Sequence, residues 1–361
     1  MTNEDLGYNE TFEANRQEAG FSNFPVARVV AVFKDIYPVR NAGGEYQASL
    51  SGKYIFESAG GSGTYPAVGD WVAIEVPDSE HAVIHGVLKR QSVLSRTHGD
   101  RSKASHKKEI QIIAANVDVA FIVESVDRDY SVNRFERYFA IAHEGGVKPV
   151  VVLNKIDLVS TEDLEQKREE LKSRFPDVEV LAVTVRGDAG LEELRACIAR
   201  GATYCFLGSS GVGKSSIINE LLGEDTIRTG AVSAYSGRGT HTTTNRQMYI
   251  LQNGSIVIDN PGVREVGVVG AESGIDSFFS EFSILAEDCK YADCTHTQEP
   301  GCTIVAAVER GELDKGQYEN YLTLRKEAGY REMSDTDKKE KDRKFGKFKK
   351  VAKREQEALE G

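Results

Sequence analysis

The chain has 361 residues, a net charge of −11, 40% apolar and 28% charged residues, which is ordinary globular composition. At roughly 150 residues per domain this length accommodates two or three domains, and no apolar run approaches the ~20 residues needed to span a bilayer. Membrane, collagenous and wholly disordered classes are therefore excluded, and the acidic sum at face value disfavours a nucleic-acid partner. The first 20 residues are acidic and polar, unlike a secretory leader, and the five cysteines suit a reducing compartment, so a cytoplasmic protein without a disulfide scaffold is expected.

The charge is unevenly placed. Residues 338–354 hold ten Lys/Arg against two acids, which leaves −19 for the remainder (−11 less +8). Residues 89–108 hold seven Lys/Arg against one Asp, and either run alone would be an ordinary solvated surface. Phe345 and Phe348 add stacking surface to the tail.

From Pro25 to Ser95 the pattern is short, alternating and turn-rich: VARVVAVF, EYQASLSG, DWVAIEV and HAVIHGVL read as strands. Their spacing predicts a small antiparallel all-β barrel or sandwich, an OB-like barrel by preference, although composition does not separate it from an SH3-like one. After residue 110 the rhythm changes. Apolar strands at 117–125, 148–157, 177–185 and 202–208 alternate with helices at 131–146, 161–175 and 190–200, the pattern of a covered parallel sheet. Beyond Glu272 the chain reads helical around a Cys/His cluster, and from Ser334 it is polar and charged. The expected layout is an extension over 1–24, an OB-fold RNA-binding domain over 25–100, an α/β P-loop domain over 110–270, a mostly α-helical zinc-binding domain over 271–333 and a basic tail over 334–361.

Gly208-Ser209-Ser210-Gly211-Val212-Gly213-Lys214-Ser215-Ser216 fits G-x-x-x-x-G-K-[ST] between an apolar strand and an apolar helix. The glycines let backbone N–H groups surround a β-phosphate at a helix N-terminus, Lys214 reaches the β- and γ-phosphates, and the Ser215 hydroxyl holds Mg²⁺. Asp259, about 45 residues further on, ends an apolar strand as Asp-x-x-Gly with Gly262. Alone that would be an ordinary turn; after a phosphate loop, the Asp serves the Mg²⁺ shell and the Gly262 amide senses the γ-phosphate. Between them runs GRGTHTTTN (237–245), a hydroxyl-rich loop in which one of Thr242–Thr244 supplies a second Mg²⁺ ligand, Thr243 by choice.

Asn154-Lys155-Ile156-Asp157 follows the strand KPVVVL. The Asp157 carboxylate suits the paired donors of guanine N1–H and its exocyclic amine, Asn154 bonds the other side of the base, and the Lys155 stem packs along its plane. Val183-Thr184-Val185 stands where backbone groups of Thr184 and Val185 complete the base pocket. The motif order is permuted: the base motif precedes the phosphate loop, which precedes Asp259. A closed domain tolerates this because its original termini lie close together. The order also carries the chain from Asp259 straight into the C-terminal region, so loss of γ-phosphate is expected to reposition that region.

Cys289-x4-Cys294-x-His296-x5-Cys302 gathers three thiols and an imidazole within fourteen residues, a closed structural Zn²⁺ set. Cys197 and Cys205 read as core residues.

Together these features resemble the circularly permuted, ribosome small-subunit-dependent GTPase family called RsgA in bacteria. The resemblance covers roughly residues 25–330: the permuted order, the loop Gly208–Ser216, the run Gly237–Thr244, Asp259-x-Pro-Gly262 and the Cys3His finger. It implies an OB domain, a permuted GTPase domain and a zinc domain, and a cytoplasmic monomer that binds GTP or GDP, the 30S ribosomal subunit and its 16S rRNA. It further implies late maturation of that subunit with subunit-stimulated hydrolysis. Val263 occupies the position where Ras-like GTPases carry a water-orienting Gln. Water positioning then passes to His241, so the expected catalytic residues are His241, Lys214 and Thr243, with slow intrinsic turnover. The competing reading is a GTP-gated rRNA-binding assembly factor in which hydrolysis is incidental. A P-loop ATPase or kinase ranks third.

Overall fold

The computed structural model describes residues 1–59, 65–98, 109–127, 130–187, 189–223, 227, 246–260 and 271–332. The chain forms two compact units, residues 1–95 with 111–266, and residues 96–110 with 267–361.

The first unit opens with helix α1 (Glu10–Glu18), whose N-cap Asn9 accepts from Phe12 N. Strands β1 (Val26–Val29), β2 (Tyr37–Asn41) and β3 (Gly44–Leu50), helix α2 (Gly52–Ala59), and strands β4 (Trp71–Glu75) and β5 (His81–Val87) follow. The strands close in the order β1-β2-β3-β5-β4, with β3 parallel to β5 and the other pairs antiparallel. That order, with a helix between the third and fourth strands, is the OB arrangement. Val29, Val39, Val72, Ile74 and Ile84 fill the barrel and are fully buried.

Two details differ from the sequence pattern. The first strand stops at Val29 and the chain turns at Phe33–Ile36, while the missed strand β2 (YPVRN) hides its alternation behind Pro38 and Arg40. Residues 52–59, where the sequence pattern gives no element beyond the strand end at Gly52, form α2, with Ser51 Oγ accepting from Tyr54 N at its start.

Residues 1–24 pack into this unit. Leu6 and Phe12 join Val26, Trp71 and Leu88 in a satellite core, with Tyr8 edge-on to Trp71 at 4.8 Å. The buried Arg28 pins the arrangement by donating to Leu6 O (2.6 Å), Asn116 O (3.0 Å) and Gly69 O (3.2 Å). Burial pushes its guanidinium down to about 10, against the pull of Asp118 and Asp70.

Strands β6 (Val93–His98) and β7 (Glu109–Ala115) pair with each other. The α/β part then runs β8 (Val119–Ser125), α3 (Val132–Glu144), β9 (Lys148–Asn154), α4 (Thr161–Arg174), β10 (Val180–Val183), α5 (Leu191–Ala196), β11 (Thr203–Leu207), α6 (Lys214–Leu222), β12 (Gln247–Ile250) and β13 (Ile256–Asp259). The sheet order is β10-β9-β8-β11-β13-β12, parallel except for β12. Its strands are apolar on both faces because helices cover both, and Phe121, Val152, Phe206 and Val257 are fully buried.

The second unit contains α7 (Glu272–Phe278), α8 (Ser280–Glu287), α9 (Thr303–Glu309) and α10 (Lys315–Glu332). Its core is aromatic: Phe282 lies tilted against Tyr321 at 4.9 Å and Phe279 meets Phe282 edge-on at 5.6 Å. Among the described residues no helix is long and apolar enough to cross a membrane.

Candidate functional site

The phosphate loop leaves the central strand β11 and enters α6, at the carboxyl edge where open α/β sheets bind ligands. Two glycines explain its sequence. Gly208 has φ +144°, and a Cβ there would lie 2.2 Å from Val123 O. Gly213 has φ +100°, and its Cβ would lie 2.2 Å from Asn154 Nδ2. Only glycine lets the loop approach both neighbours this closely.

Lys214 Nζ donates to Gly208 O and Ser209 O, both at 2.8 Å, so the ammonium is held within the loop. Burial pulls its pKa down, opposed by Asp259 and Glu124. Asp259 ends β13 with its Oδ1 buried and without a hydrogen-bond partner. Burial raises its pKa and Lys214 opposes the rise. A buried carboxylate with an open oxygen beside a lysine is a seat for a cation.

The base motif arrives from the other side. Asn154, at the end of β9, donates through Nδ2 to Val212 O at 2.7 Å, while its Oδ1 is buried and open. Lys155 takes a left-handed backbone (φ +63°), a conformation costing roughly 1–2 kcal/mol that concentrates at functional sites. Its ammonium pairs with Asp127 Oδ2 at 3.4 Å. Thr184 Oγ1 donates to Asp157 Oδ1 at 2.5 Å and accepts from Arg186 N at 3.0 Å, which fixes the carboxylate's orientation. The sequence reading named only the backbone of Thr184 and did not anticipate this contact of its side chain with Asp157. Val185 follows it, half-buried, beside the β10 end. Asp127 was also missed; a lone acid after a strand carries no signal of its own.

Ser210 and Gly211 form the exposed crest of the loop, and Ser215 and Ser216 open α6 half-buried. His241, Thr242–Thr244, Gly262 and Val263 lie outside the described residues.

In the second unit, ligand atoms of Cys289, Cys294, His296 and Cys302 lie within 4.8 Å of one another. His296 Nδ1 stands 3.6 Å from Cys289 Sγ and 3.7 Å from Cys302 Sγ, and the two sulfurs are 3.9 Å apart. A tetrahedral ion with S and N ligands requires edges of about 3.6–3.8 Å, so the donor set fits one. His296 holds its turn with φ +59°, and Tyr318 Oη donates to its carbonyl at 2.7 Å. These four residues can hold a metal ion.

The model of the RsgA GTPase family matches residues 87–269. The curated protein "Small ribosomal subunit biogenesis GTPase RsgA 2" of Listeria monocytogenes serotype 4b (strain F2365) is 41% identical over 91% of this chain and 90% of its own. The chain belongs to the RsgA GTPase family. A second relative, "Small ribosomal subunit biogenesis GTPase RsgA" of Syntrophotalea carbinolica (strain DSM 2380 / NBRC 103641 / GraBd1), is 38% identical over 91% of this chain and 90% of its own. Among solved structures, YjeQ from Thermotoga maritima superposes with a TM-score of 0.60 at 26% identity, over 83% of this chain and 96% of that one. YloQ, described as a circularly permuted GTPase, gives 0.60 at 19% identity over 87% and 98%, a likeness of fold. As a family member the chain is a GTP hydrolase. Its sheet displays the permutation: β8, β9 and β10, which bring the base motif, precede β11 in the chain yet extend the sheet on one side of it, while β13 and β12 extend the other.

Proposed function

We propose that the protein is a GTPase of small ribosomal subunit biogenesis, which binds the 30S subunit and its 16S rRNA late in maturation and leaves after hydrolysing GTP to GDP and phosphate. The observation that supports the nucleotide assignment is the Asn154–Val212 hydrogen bond, which joins the Asn-Lys-x-Asp segment to the glycine-rich loop. In this reading Gly208–Ser216 cradles the phosphates and Asn154, Lys155 and Asp157 read guanine, with Thr184 and Val185 closing the base pocket. Gly262 answers to the γ-phosphate.

Lys214 leaves the Gly208 and Ser209 carbonyls for the β- and γ-oxygens as substrate enters, exchanging two neutral acceptors for charged ones. Ser215, Thr243 and Asp259 are the proposed holders of Mg²⁺, which when bound neutralises charge on the transferring phosphoryl group. His241 is the proposed orienter of the attacking water, since Val263 has no polar group for the task. The Cys3His set takes one structural Zn²⁺, because four S/N ligands leave no open position for catalysis.

The proposed layout is a monomer in the cytoplasm with an OB domain (25–100), a GTPase domain (110–270) and a zinc domain (271–333). The proposed electrostatic footprint for rRNA is local, comprising the 89–108 stretch, the zinc region and the +8 tail on an acidic body. Co-sedimentation with purified 30S subunits tests the cycle. The form loaded with a non-hydrolysable GTP analogue is expected to pellet with the subunit and the GDP form to stay in solution. Equal pelleting of both forms contradicts it.

A further inference from the structure

Among the described residues, the segment that follows β1 of the barrel hydrogen-bonds the edge of the nucleotide sheet at β12. The chain leaving β1 continues to Ala31, which bridges Gln247 of β12 in antiparallel fashion, and Met248 N donates to Val30 O at 2.8 Å. On its other side Gln247 pairs with Asp259 of β13. Ala31, Gln247 and Asp259 are therefore consecutive rungs across three adjacent chain segments. The barrel supplies one further edge segment to the sheet that carries the proposed Mg²⁺ ligand.

The connection is reinforced along its length. Ile250, at the far end of β12, packs against the satellite core around Trp71. Arg246, which directly follows the hydroxyl-rich loop 237–245 in the chain, donates through Nη1 to Ile112 O at 2.9 Å. On the barrel side, Ala31 is buried, and two residues later the chain reaches the turn Phe33–Ile36, whose Phe33 and Ile36 side chains are 40% and 50% exposed. β12 is thus short, gripped on both edges, and placed between a loop expected to change with nucleotide and an exposed apolar turn.

We propose that β12 relays nucleotide state to the barrel, with Gln247 as the residue that positions Asp259 on one side and the Val30–Ile36 segment on the other. The relay rests on the nucleotide site proposed above. A shift of β12 when the site changes from GTP to GDP moves Val30 and Ala31 with it, since a hydrogen-bonded ladder transmits displacement where an apolar contact would slide. The turn at residues 33–36 then takes two positions, one for each nucleotide. By linkage, whatever grips that turn changes the preference of the site for GTP over GDP by the same factor.

One substitution isolates the link. Successive N–H groups of a strand point to opposite edges, and that of Met248 points to Val30, so it takes no part in pairing with β13. Met248→Pro removes the barrel bond and leaves the β13 ladder, while Met248→Ala removes the side chain and keeps the bond. The experiment measures calorimetric binding of GDP and a non-hydrolysable GTP analogue to the full chain, together with hydrogen exchange over residues 30–36 in each state. Expected is a several-fold difference in exchange between the two nucleotides in the unsubstituted chain and in Met248→Ala, lost in Met248→Pro along with a change in the affinity ratio. Identical exchange in the two states of the unsubstituted chain overturns the relay even if the proline variant does not fold. The same difference surviving in a folded Met248→Pro overturns it as well. Absence of nucleotide binding by the unsubstituted chain overturns the site assignment and the relay with it.

Discussion

Asn154 Nδ2 donates to Val212 O across 2.7 Å and 58 residues of sequence. The bond joins the end of β9 to the turn before α6, so the base-reading and phosphate-binding elements are a single polar unit although the chain makes them in inverted order. In the proposed function guanine selectivity rests on that unit through Asp157, whose carboxylate accepts from the Thr184 hydroxyl at 2.5 Å.

Asp157→Asn replaces two acceptor oxygens by an amide that presents a donor to the donor edge of guanine. GTP affinity is expected to fall by about 1.5–3 kcal/mol, the worth of hydrogen bonds to a charged group. Xanthosine triphosphate, which offers a carbonyl where guanine has its amine, is expected to gain. Competition binding with both nucleotides measures the exchange, and undiminished GTP preference in the variant contradicts the assignment. Thr184→Val, which only frees the carboxylate to turn, is expected to cost about 1 kcal/mol of the same affinity.

Gly208→Ala places a methyl group 2.2 Å from Val123 O on a backbone of φ +144°. Since the obstacle is a backbone carbonyl of β8, the loop must shift as a whole. Loss of nucleotide binding is expected, with a stability cost of about 1–3 kcal/mol. Urea unfolding and calorimetry together check both parts.

Arg28→Met leaves the carbonyls of Leu6, Gly69 and Asn116 without their shared donor. Gly69 O keeps Asn116 Nδ2 as a donor at 3.0 Å, so two acceptors are left open. A destabilisation of about 2 kcal/mol or more is expected, since each buried acceptor left open costs about 1–3 kcal/mol. Limited proteolysis should then cut within residues 1–24 first, because Leu6 loses its anchor to the barrel. Protease resistance equal to that of the unsubstituted chain would show that the satellite core holds the segment unaided.

Acidification should weaken Mg²⁺ binding earlier than an ordinary aspartate would allow. Burial raises the pKa of Asp259 above 3.8 in the folded chain, so the carboxyl takes up its proton at a higher pH than in the unfolded chain. The sign for stability is opposite: without metal, the ionised carboxylate disfavours the fold above 3.8, and that cost lifts as pH falls through the folded-state value. Mg²⁺ titrations at descending pH on Asp259→Asn and on the unsubstituted chain separate this residue from the rest. The pH-dependent part of the affinity is expected to vanish in the variant.

Cys302 is both a member of the Cys3His set and the N-cap of α9. Cys302→Ser is expected to lower bound zinc, measured by elemental analysis, and to lower the melting temperature. A chelator should reproduce that loss in the unsubstituted chain and add little to the variant. Full zinc occupancy in the variant would remove Cys302 from the ligand set.

The residues proposed to handle the nucleotide stood out in the sequence because their chemistry is local: Gly208–Ser216 has glycines at fixed spacing, and the order of Asn154, Lys214 and Asp259 displays the permutation. The Cys3His cluster, which the structure brings together, was legible for the same reason. Residues 1–24 were not, because Leu6, Tyr8 and Phe12 are too few and too irregularly spaced to show a face, and their partner Trp71 lies in a strand far along the chain. β2 was hidden by Pro38 and Arg40, and β12 by its four-residue length, yet β12 carries the only bridge among the described residues between barrel and sheet outside the named strands. The hydroxyl role of Thr184 depends on where Asp157 falls in three dimensions, which no spacing encodes. The net charge of −11 hides its distribution when taken as a sum, since residues 89–108 and 338–354 are strongly basic on an otherwise acidic chain.

The most direct test of the account is steady-state phosphate release from GTP and from ATP, each with and without purified 30S subunits. The account predicts slow turnover of GTP alone, a marked rise on adding the subunits, and negligible turnover of ATP in either condition. Turnover of GTP indifferent to the 30S subunit, or preference for ATP, would contradict it.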